Sequence, residues 1–413
     1  MDARSFVRTN AAWLGAGAAM TFSTGFGQTF FIAIYADEWR AEFGLSHGDW
    51  GAIYMVATLA SAAALTQAGR LADVVRARTL GALILVAFAA LCVGVSQVSH
   101  WAALAALVFG LRFCGQGMLS HLAVTAMGKW FRAGRARAVA IASLGFSAAE
   151  AVLPAAALVV AAAVGWRMSW LIAAAFLLFV ALPAVLWLLR RERSPRSMAE
   201  ASSSPGLDGR HWTRREMARH WLFWALLPGL VAPGWIGTVV FFQIRHLVEV
   251  KGWDVFAYAG AAYPAYSLTT VAASLAIGAL VDRFGATRLL AVYLLGWAAG
   301  TILLGLAGPL WVGVLALAVA GVGTGGVAVV KTTLAADLYG TERLGGIKAI
   351  WTALMVLASA LGPGVSGALL DAGVGFEAQC LAMGAYLVVV SLWFAFVAGW
   401  ARPLPPAPGA AAG

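Results

Sequence analysis

Arg112 and Lys331 each lie inside an apolar run long enough to cross a bilayer, 101–127 and 310–336. A charge at the centre of a spanning helix costs about 2.5–3.5 kcal/mol on insertion scales, so such residues usually face a wet cavity and touch a ligand or a partner. Arg112 falls about 16 Å beyond Trp101, and Lys331 about 13 Å short of Gly340, at a helical rise of about 1.5 Å per residue. Two buried cations suit a carboxylate held between them, the guanidinium as a bidentate fork and the ammonium as a point charge. Two other readings stay open: Arg112 as a structural or coupling arginine, and Lys331 snorkelling to the membrane surface on its long stem. Glu150 is the one carboxylate near mid-depth in any apolar run. It can carry a transported proton or neutralise Arg112 as a fixed ion pair. His121 lies on the same helix as Arg112 and can relay protons or simply hydrogen-bond in a helix contact. Gln28, Gln116, Gln243, Tyr263 and Tyr266 can orient a bound solute. Gln116 lies one turn from Arg112, so the two share a face.

The elements that position these residues are legible from composition. The 413 residues are 62% hydrophobic and 11% charged, with a mean hydropathy of +0.84. A soluble chain carries about twice that charge fraction. Only helices and closed barrels satisfy their backbone in lipid, and unbroken apolar runs exclude a barrel. The hydropathy predicts twelve spans, at 11–36, 50–69, 79–98, 101–127, 138–163, 167–189, 221–245, 256–280, 287–307, 310–336, 347–371 and 376–400. The first run is expected to be a span rather than a cleaved leader, being too long for a leader's apolar region. The one long connection, 190–220, is rich in Arg, Ser and Pro and reads as a linker between residues 1–189 and 221–413.

The net charge of +10 does not indicate nucleic acid, because the cations sit in short connecting loops. Twenty-two of the 28 Lys and Arg fall on the side of the N-terminus and four on the other, the remaining two being Arg112 and Lys331. That asymmetry places both termini in the cytoplasm. The three cysteines, Cys92, Cys114 and Cys380, are scattered among apolar segments and predict neither a disulfide framework nor a metal site. Glycines 321, 323, 325 and 326 read as a small-residue packing surface rather than a phosphate loop, since no GK[ST] context follows. No catalytic constellation and no cofactor are expected.

The chain repeats internally. Gly69-Arg-Leu-Ala-Asp73 and Gly278-Ala-Leu-Val-Asp282 are offset by the same 209 residues as Pro154 and Pro363. Parallel repeats of six helices place a substrate site near the midplane and work by rocking one half against the other. On these residues the chain resembles the major facilitator superfamily. That family's loop between spans two and three reads roughly G-x-L-x-D-R-x-G-x-R/K. The second copy, from Gly278 through Asp282, Arg283 and Gly285 to Arg288, matches it. The first copy keeps Gly69, Leu71, Asp73 and Arg78 but lacks the middle Gly and the Arg after Asp. The resemblance implies a gating role for Gly69, Asp73, Arg78, Gly278, Asp282, Arg283 and Arg288. It also implies a cavity lined by spans one, four, seven and ten, the fourth and tenth being those of Arg112 and Lys331. Lys129-Trp-Phe, Arg135, Gly145, Glu150, Pro154, Gly165-Trp-Arg167 and Gly362-Pro-Gly resemble the monocarboxylate and oxalate–formate branch. Where that branch often has a span-eight arginine, this chain has Tyr263, Pro264, Tyr266 and Ser267.

The sequence therefore predicts an all-α polytopic membrane protein of twelve helices in two six-helix halves, monomeric, in a bacterial inner membrane. It is expected to be a secondary transporter of small organic anions, coupled to protons or working by exchange, and not an enzyme. A multidrug or metabolite exporter of the same fold, or a non-transporting membrane sensor, are the alternatives.

Overall fold

The computed structural model describes residues 3–131, 134–191 and 206–400. Among these the chain is helical, with no strand. Residues 192–205, most of the expected linker, lie outside the described residues. Twelve principal helices follow in order: α1 (Ala3–Ser23), α2 (His47–Ala68), α3 (Ala77–Ser96), α4 (Trp101–Trp130), α5 (Arg135–Val164) and α6 (Trp166–Leu188) in the first half. The second half holds α7 (Trp221–Val250), α8 (Val255–Phe284), α9 (Leu295–Leu306), α10 (Leu310–Tyr339), α11 (Leu344–Asp371) and α12 (Phe376–Val397). Ten of them are long and apolar enough to span a bilayer by length and composition. Prolines inside α5, α7, α8 and α11 are tolerated because the backbone groups they free can be satisfied by neighbours.

Two of the expected spans are interrupted. The first does not run unbroken over 11–36: after α1 come a 3₁₀ turn at Thr24–Gly27, an extended Gln28 (ψ 158°), a short helix Thr29–Ile32 and a second 3₁₀ turn Ala33–Tyr35. The break sits against α4. A Cβ on Gly115 would lie 2.9 Å from the Cα of Gly27 and 3.0 Å from the carbonyl oxygen of Thr24. Only two glycines allow backbones this close. The ninth span starts at Leu295 rather than 287, after a separate short helix Ala286–Leu289. The intervening residues are as apolar as the helix, so hydropathy carries no mark of the break.

Packing divides the chain into two compact units. Among the described residues, the first unites 3–131, 134–191, 238–267 and 360–375, and the second unites 206–237, 268–359 and 376–400. In the first, α1 and α5 approach through small residues. A Cβ on Gly17 would meet that of Ala142 at 2.8 Å, and Thr21 donates a 2.5 Å hydrogen bond to the Ala142 carbonyl. In the second, the expected glycine packing surface of α10 is present. A Cβ on Gly323 would lie 2.6 Å from the Trp297 amide nitrogen, and one on Gly325 2.6 Å from the Thr270 carbonyl oxygen.

Candidate functional site

The break after α1 and an irregularity in α4 form one locus within the first unit. Residues Arg112–Leu119 of α4 make a π-helical turn. Such turns are rare, insert an extra residue into the helix and are frequent at functional sites. The π turn begins at Arg112, and the bend after α1 places carbonyls and side chains around its guanidinium. Arg112 is 1% exposed. Its Nη1 donates to the Gly27 carbonyl at 3.2 Å and to Thr29 Oγ1 at 3.4 Å. Thr29 in turn shares a 2.7 Å hydrogen bond with the hydroxyl of Tyr54, whose ring lies 5.1 Å below the guanidinium carbon. The Nε and Nη2 atoms of Arg112 are buried without a hydrogen-bond partner among the described residues. A buried cation with donors to spare is a high-energy arrangement unless an anion completes it.

The other expected site residues divide by unit. Gln28 is buried and forms the extended link in the α1 break, beside the Gly27 and Thr29 partners of Arg112. Gln116 lies half-buried on the π turn. Tyr263 and Tyr266 are buried around Phe241, the first stacked on it at 5.8 Å and the second edge-on at 5.0 Å. Gln243 donates to Ser366 Oγ at 3.3 Å. Glu150 is buried and accepts a 3.4 Å hydrogen bond from Ser267. Among the described residues no ion pair joins Glu150 to Arg112, so the fixed-pair alternative is absent from this arrangement. Lys331 belongs to the second unit, where it is half-buried with its Nζ 3.1 Å from the sulfur of Met355.

The repeated motif is built differently in its two copies. Asp73 pairs with Lys129 at 2.8 Å, and the same ammonium donates to the Ala72 carbonyl at 3.0 Å. His121 is exposed, and its Nε2 lies 3.2 Å from the Gly69 carbonyl oxygen, so it joins this loop rather than the Arg112 locus. Arg78 donates to the Leu186 carbonyl at 3.3 Å. In the second copy Asp282, Arg283 and Arg288 are exposed, and Arg283 lies over the Phe284 ring at 5.1 Å. At Gly278 a Cβ would meet open space. Gly285 turns that loop at φ +80°, whereas Arg76, its counterpart in the first copy, turns at φ −58°. The glycine lost from the first copy is thus replaced by a different turn.

Sequence reasoning missed a second cluster, at the cation-poor end of the first unit. Arg245 of α7 pairs with Asp37 at 2.7 Å and Glu38 at 2.8 Å and also donates to the Ile34 carbonyl. Asp371, at the end of α11, caps α2. It accepts from Ser46 Oγ at 2.7 Å, the His47 amide at 3.1 Å and the Gly48 amide at 2.8 Å. A carboxylate here meets both the orphan amides and the positive end of the helix dipole. Aromatic contacts run inward from this cluster: Trp39 on Trp50 at 5.2 Å, Trp50 on Phe242 at 5.8 Å and Phe242 on Tyr54 at 4.9 Å. Tyr54 is the ring beneath Arg112. A Ser-x-x-Asp capping box, Ser46 with Asp49, was a sequence signal for the α2 start. Nothing local pointed to partners more than 200 residues away.

The geometry can be set beside known proteins. The sequence is 27% identical over 356 residues to an uncharacterized 38 kDa protein in the 23S RNA operon of Thermoproteus tenax, covering 86% of this chain and 87% of that one. The fold is similar to a bacterial homolog of the human lysosomal transporter Spinster, solved in an inward-facing, unoccupied conformation. The TM-score is 0.71 at 16% identity, over 96% of this chain and 98% of the other. It is also similar to the nucleoside transporter NupG, with a TM-score of 0.67 at 16% identity, over 93% of this chain and 98% of that one. Identities this low carry the fold alone. The family model for the Major Facilitator Superfamily matches residues 17–264 and 256–412. Together with an all-helical architecture and ten helices long enough to span a bilayer, that match means that the chain belongs to the major facilitator superfamily and is a membrane transporter rather than an enzyme.

Proposed function

We propose that this transporter moves a small organic anion, a mono- or dicarboxylate, by alternating access, and that Arg112 binds the anion's carboxylate. One observation carries the reading: the guanidinium is 1% exposed, and two of its three nitrogens lack a hydrogen-bond partner among the described residues. A carboxylate fits those two donors as a bidentate acceptor and offsets the charge. The π turn and the break after α1 support it, because irregular backbone at membrane depth is tolerated where it lines a cavity or is buried in protein. Lys331 supplies a second cation on the anion's route. Gln28, Gln116, Gln243, Tyr263 and Tyr266 orient the solute. Glu150 carries the coupled proton, with exchange as the other drive. The resemblance to the monocarboxylate and oxalate–formate branch points to the same cargo class.

In this reading residues 1–189 and 221–413 are the rocking halves, 190–220 links them, and both motif copies act as gates. In the same reading both termini are cytoplasmic, as the charge asymmetry supports, and the protein is a monomer of a bacterial inner membrane. A structural role for Arg112 is the competing reading, favoured by its hydrogen bond to the Gly27 carbonyl. Uptake of labelled carboxylates, amino acids and amphiphilic cations into proteoliposomes, with and without a pH gradient, tests the proposal. Carboxylate uptake that Arg112→Ala lowers by at least about tenfold in a folded protein is expected. Normal carboxylate flux in that variant would leave only the structural role.

A further inference from the structure

The cation-poor end of the first unit holds a pair of imidazoles that the transport reading does not use. His47 opens α2 and His246 lies near the end of α7, and their ring centroids are 4.5 Å apart at 67°. Both line a cleft of about 610 Å³ together with Asp37, Arg40, Leu45 and Glu249, so solvent has a route to the rings. The pair sits among the contacts that hold this end together. Arg245 precedes His246 and holds Asp37 and Glu38, while Asp371 holds the amides of His47 and Gly48. The fit is tight, since a Cβ on Gly48 would lie 2.5 Å from Asp371 Oδ2.

We propose that His47 and His246 form a proton-sensing latch, closed while both rings are neutral and released when the outer compartment acidifies. The charged groups around them decide this. On the segment Ala36–Phe43 stand Asp37, Glu38 and Arg40; on α2, Asp49; on α7, Arg245 and Glu249; just beyond α7, Lys251; and at the end of α11, Asp371. Most of the carboxylates are engaged. Asp37 serves Arg40 and Arg245, Glu38 serves Arg245, Asp49 serves the Ser46 amide, and Asp371 serves the α2 amides. Glu249, one turn beyond His246, can accompany one imidazolium. The second would enter 4.5 Å from the first, beside Arg40 and at the positive end of the α2 dipole. Two like charges so placed repel, and separating α7 and α11 from α2 relieves the repulsion. The inference concerns the gate alone and does not depend on the identity of the cargo.

Spin labels at S99C and A372C, in a chain carrying C92A, C114A and C380A, report on this latch in lipid nanodiscs. Ser99 and Ala372 are exposed in the loops after α3 and α11. Electron–electron double resonance between pH 8 and 4 is expected to show a longer distance growing as pH falls. The open-to-closed ratio should change by up to about tenfold per pH unit for each proton taken up on opening. His47→Gln with His246→Gln should hold the short distance throughout. His246→Gln alone, which leaves the α2 N-terminus intact, should remove most of the response. His246→Lys should populate the long distance at pH 8. A wild-type distribution independent of pH overturns the proposal, and so does a response that survives both glutamine variants.

Discussion

Arg112 and Lys331 look alike in the sequence and are housed very differently. Arg112 is fully enclosed, bonded to a carbonyl freed by a broken helix and resting on the Tyr54 ring. Lys331 is half-buried on α10, a helix that runs unbroken from Leu310 to Tyr339, and its ammonium touches a thioether. A thioether is a weak acceptor. The guanidinium thus has a prepared polar setting, whereas the ammonium has an adaptable apolar one. Equal depth in an apolar run does not mean equal environment. What separates the two sites is backbone irregularity, which frees polar groups for one cation and leaves the other to side chains.

The comparison breaks most sharply at Arg112. Loss of a charge-assisted contact to an anionic cargo costs about 1.5–3 kcal/mol, or roughly 10- to 150-fold in transport efficiency. Arg112→Ala should show that loss as carboxylate flux in proteoliposomes. Arg112→Lys keeps the charge but not the fork, so it should recover only a minor part. Full recovery by lysine would mean that charge alone matters and that the two cations are equivalent after all. Glu150→Gln should flatten the pH dependence of uptake while binding persists, as measured by initial rates between pH 5 and 8. An unchanged profile removes Glu150 from coupling.

The backbone offers the next test. Gly115→Ala drives a methyl to within 2.9 Å of the Gly27 Cα and of the Phe88 ring, where backbone blocks relaxation. It should destabilise the first unit by about 1–3 kcal/mol and disturb the seat of Arg112. The matching change on α10, Gly326→Ala, meets first the Ile277 Cδ1 at 3.1 Å, the end of a flexible side chain. Its effect on thermal unfolding should be clearly smaller. Equal shifts would show that the α1–α4 contact is no more constrained than ordinary helix packing.

Much of this was legible before the structure. Hydropathy carries the fold class, because lipid forces every span to be helical. Arg112, Lys331 and Glu150 were visible as charges where lipid disfavours them. The break after α1 had a faint mark in Gly25 and Gly27, and the π turn in Gly115 and Gly117. Apolar neighbours hid both from a hydropathy reading. The latch at the cation-poor end was not legible: Arg245 meets Glu38 across 207 residues, and Asp371 meets His47 across 324. Pairings of that range come from topology, and each partner alone reads as an ordinary loop charge.

The smallest expected effects lie at Lys331 and are the most discriminating. Lys331→Met keeps the volume beside Met355 and removes the charge. Because the ammonium is half-buried rather than enclosed, its loss sits at the low end for a charge-assisted contact, about 1.5 kcal/mol or roughly tenfold in transport efficiency, less than at Arg112. Met355→Leu preserves apolar volume and removes only the sulfur contact at 3.1 Å. Volume-conserving swaps of this kind cost less than about 1.5 kcal/mol, and flux should change by no more than about twofold. If Met355→Leu instead matches Lys331→Met, the ammonium works through its sulfur partner and is a packing group. If only Lys331→Met loses flux, the ammonium acts on the cargo, and the difference between the two cations is one of housing rather than of role.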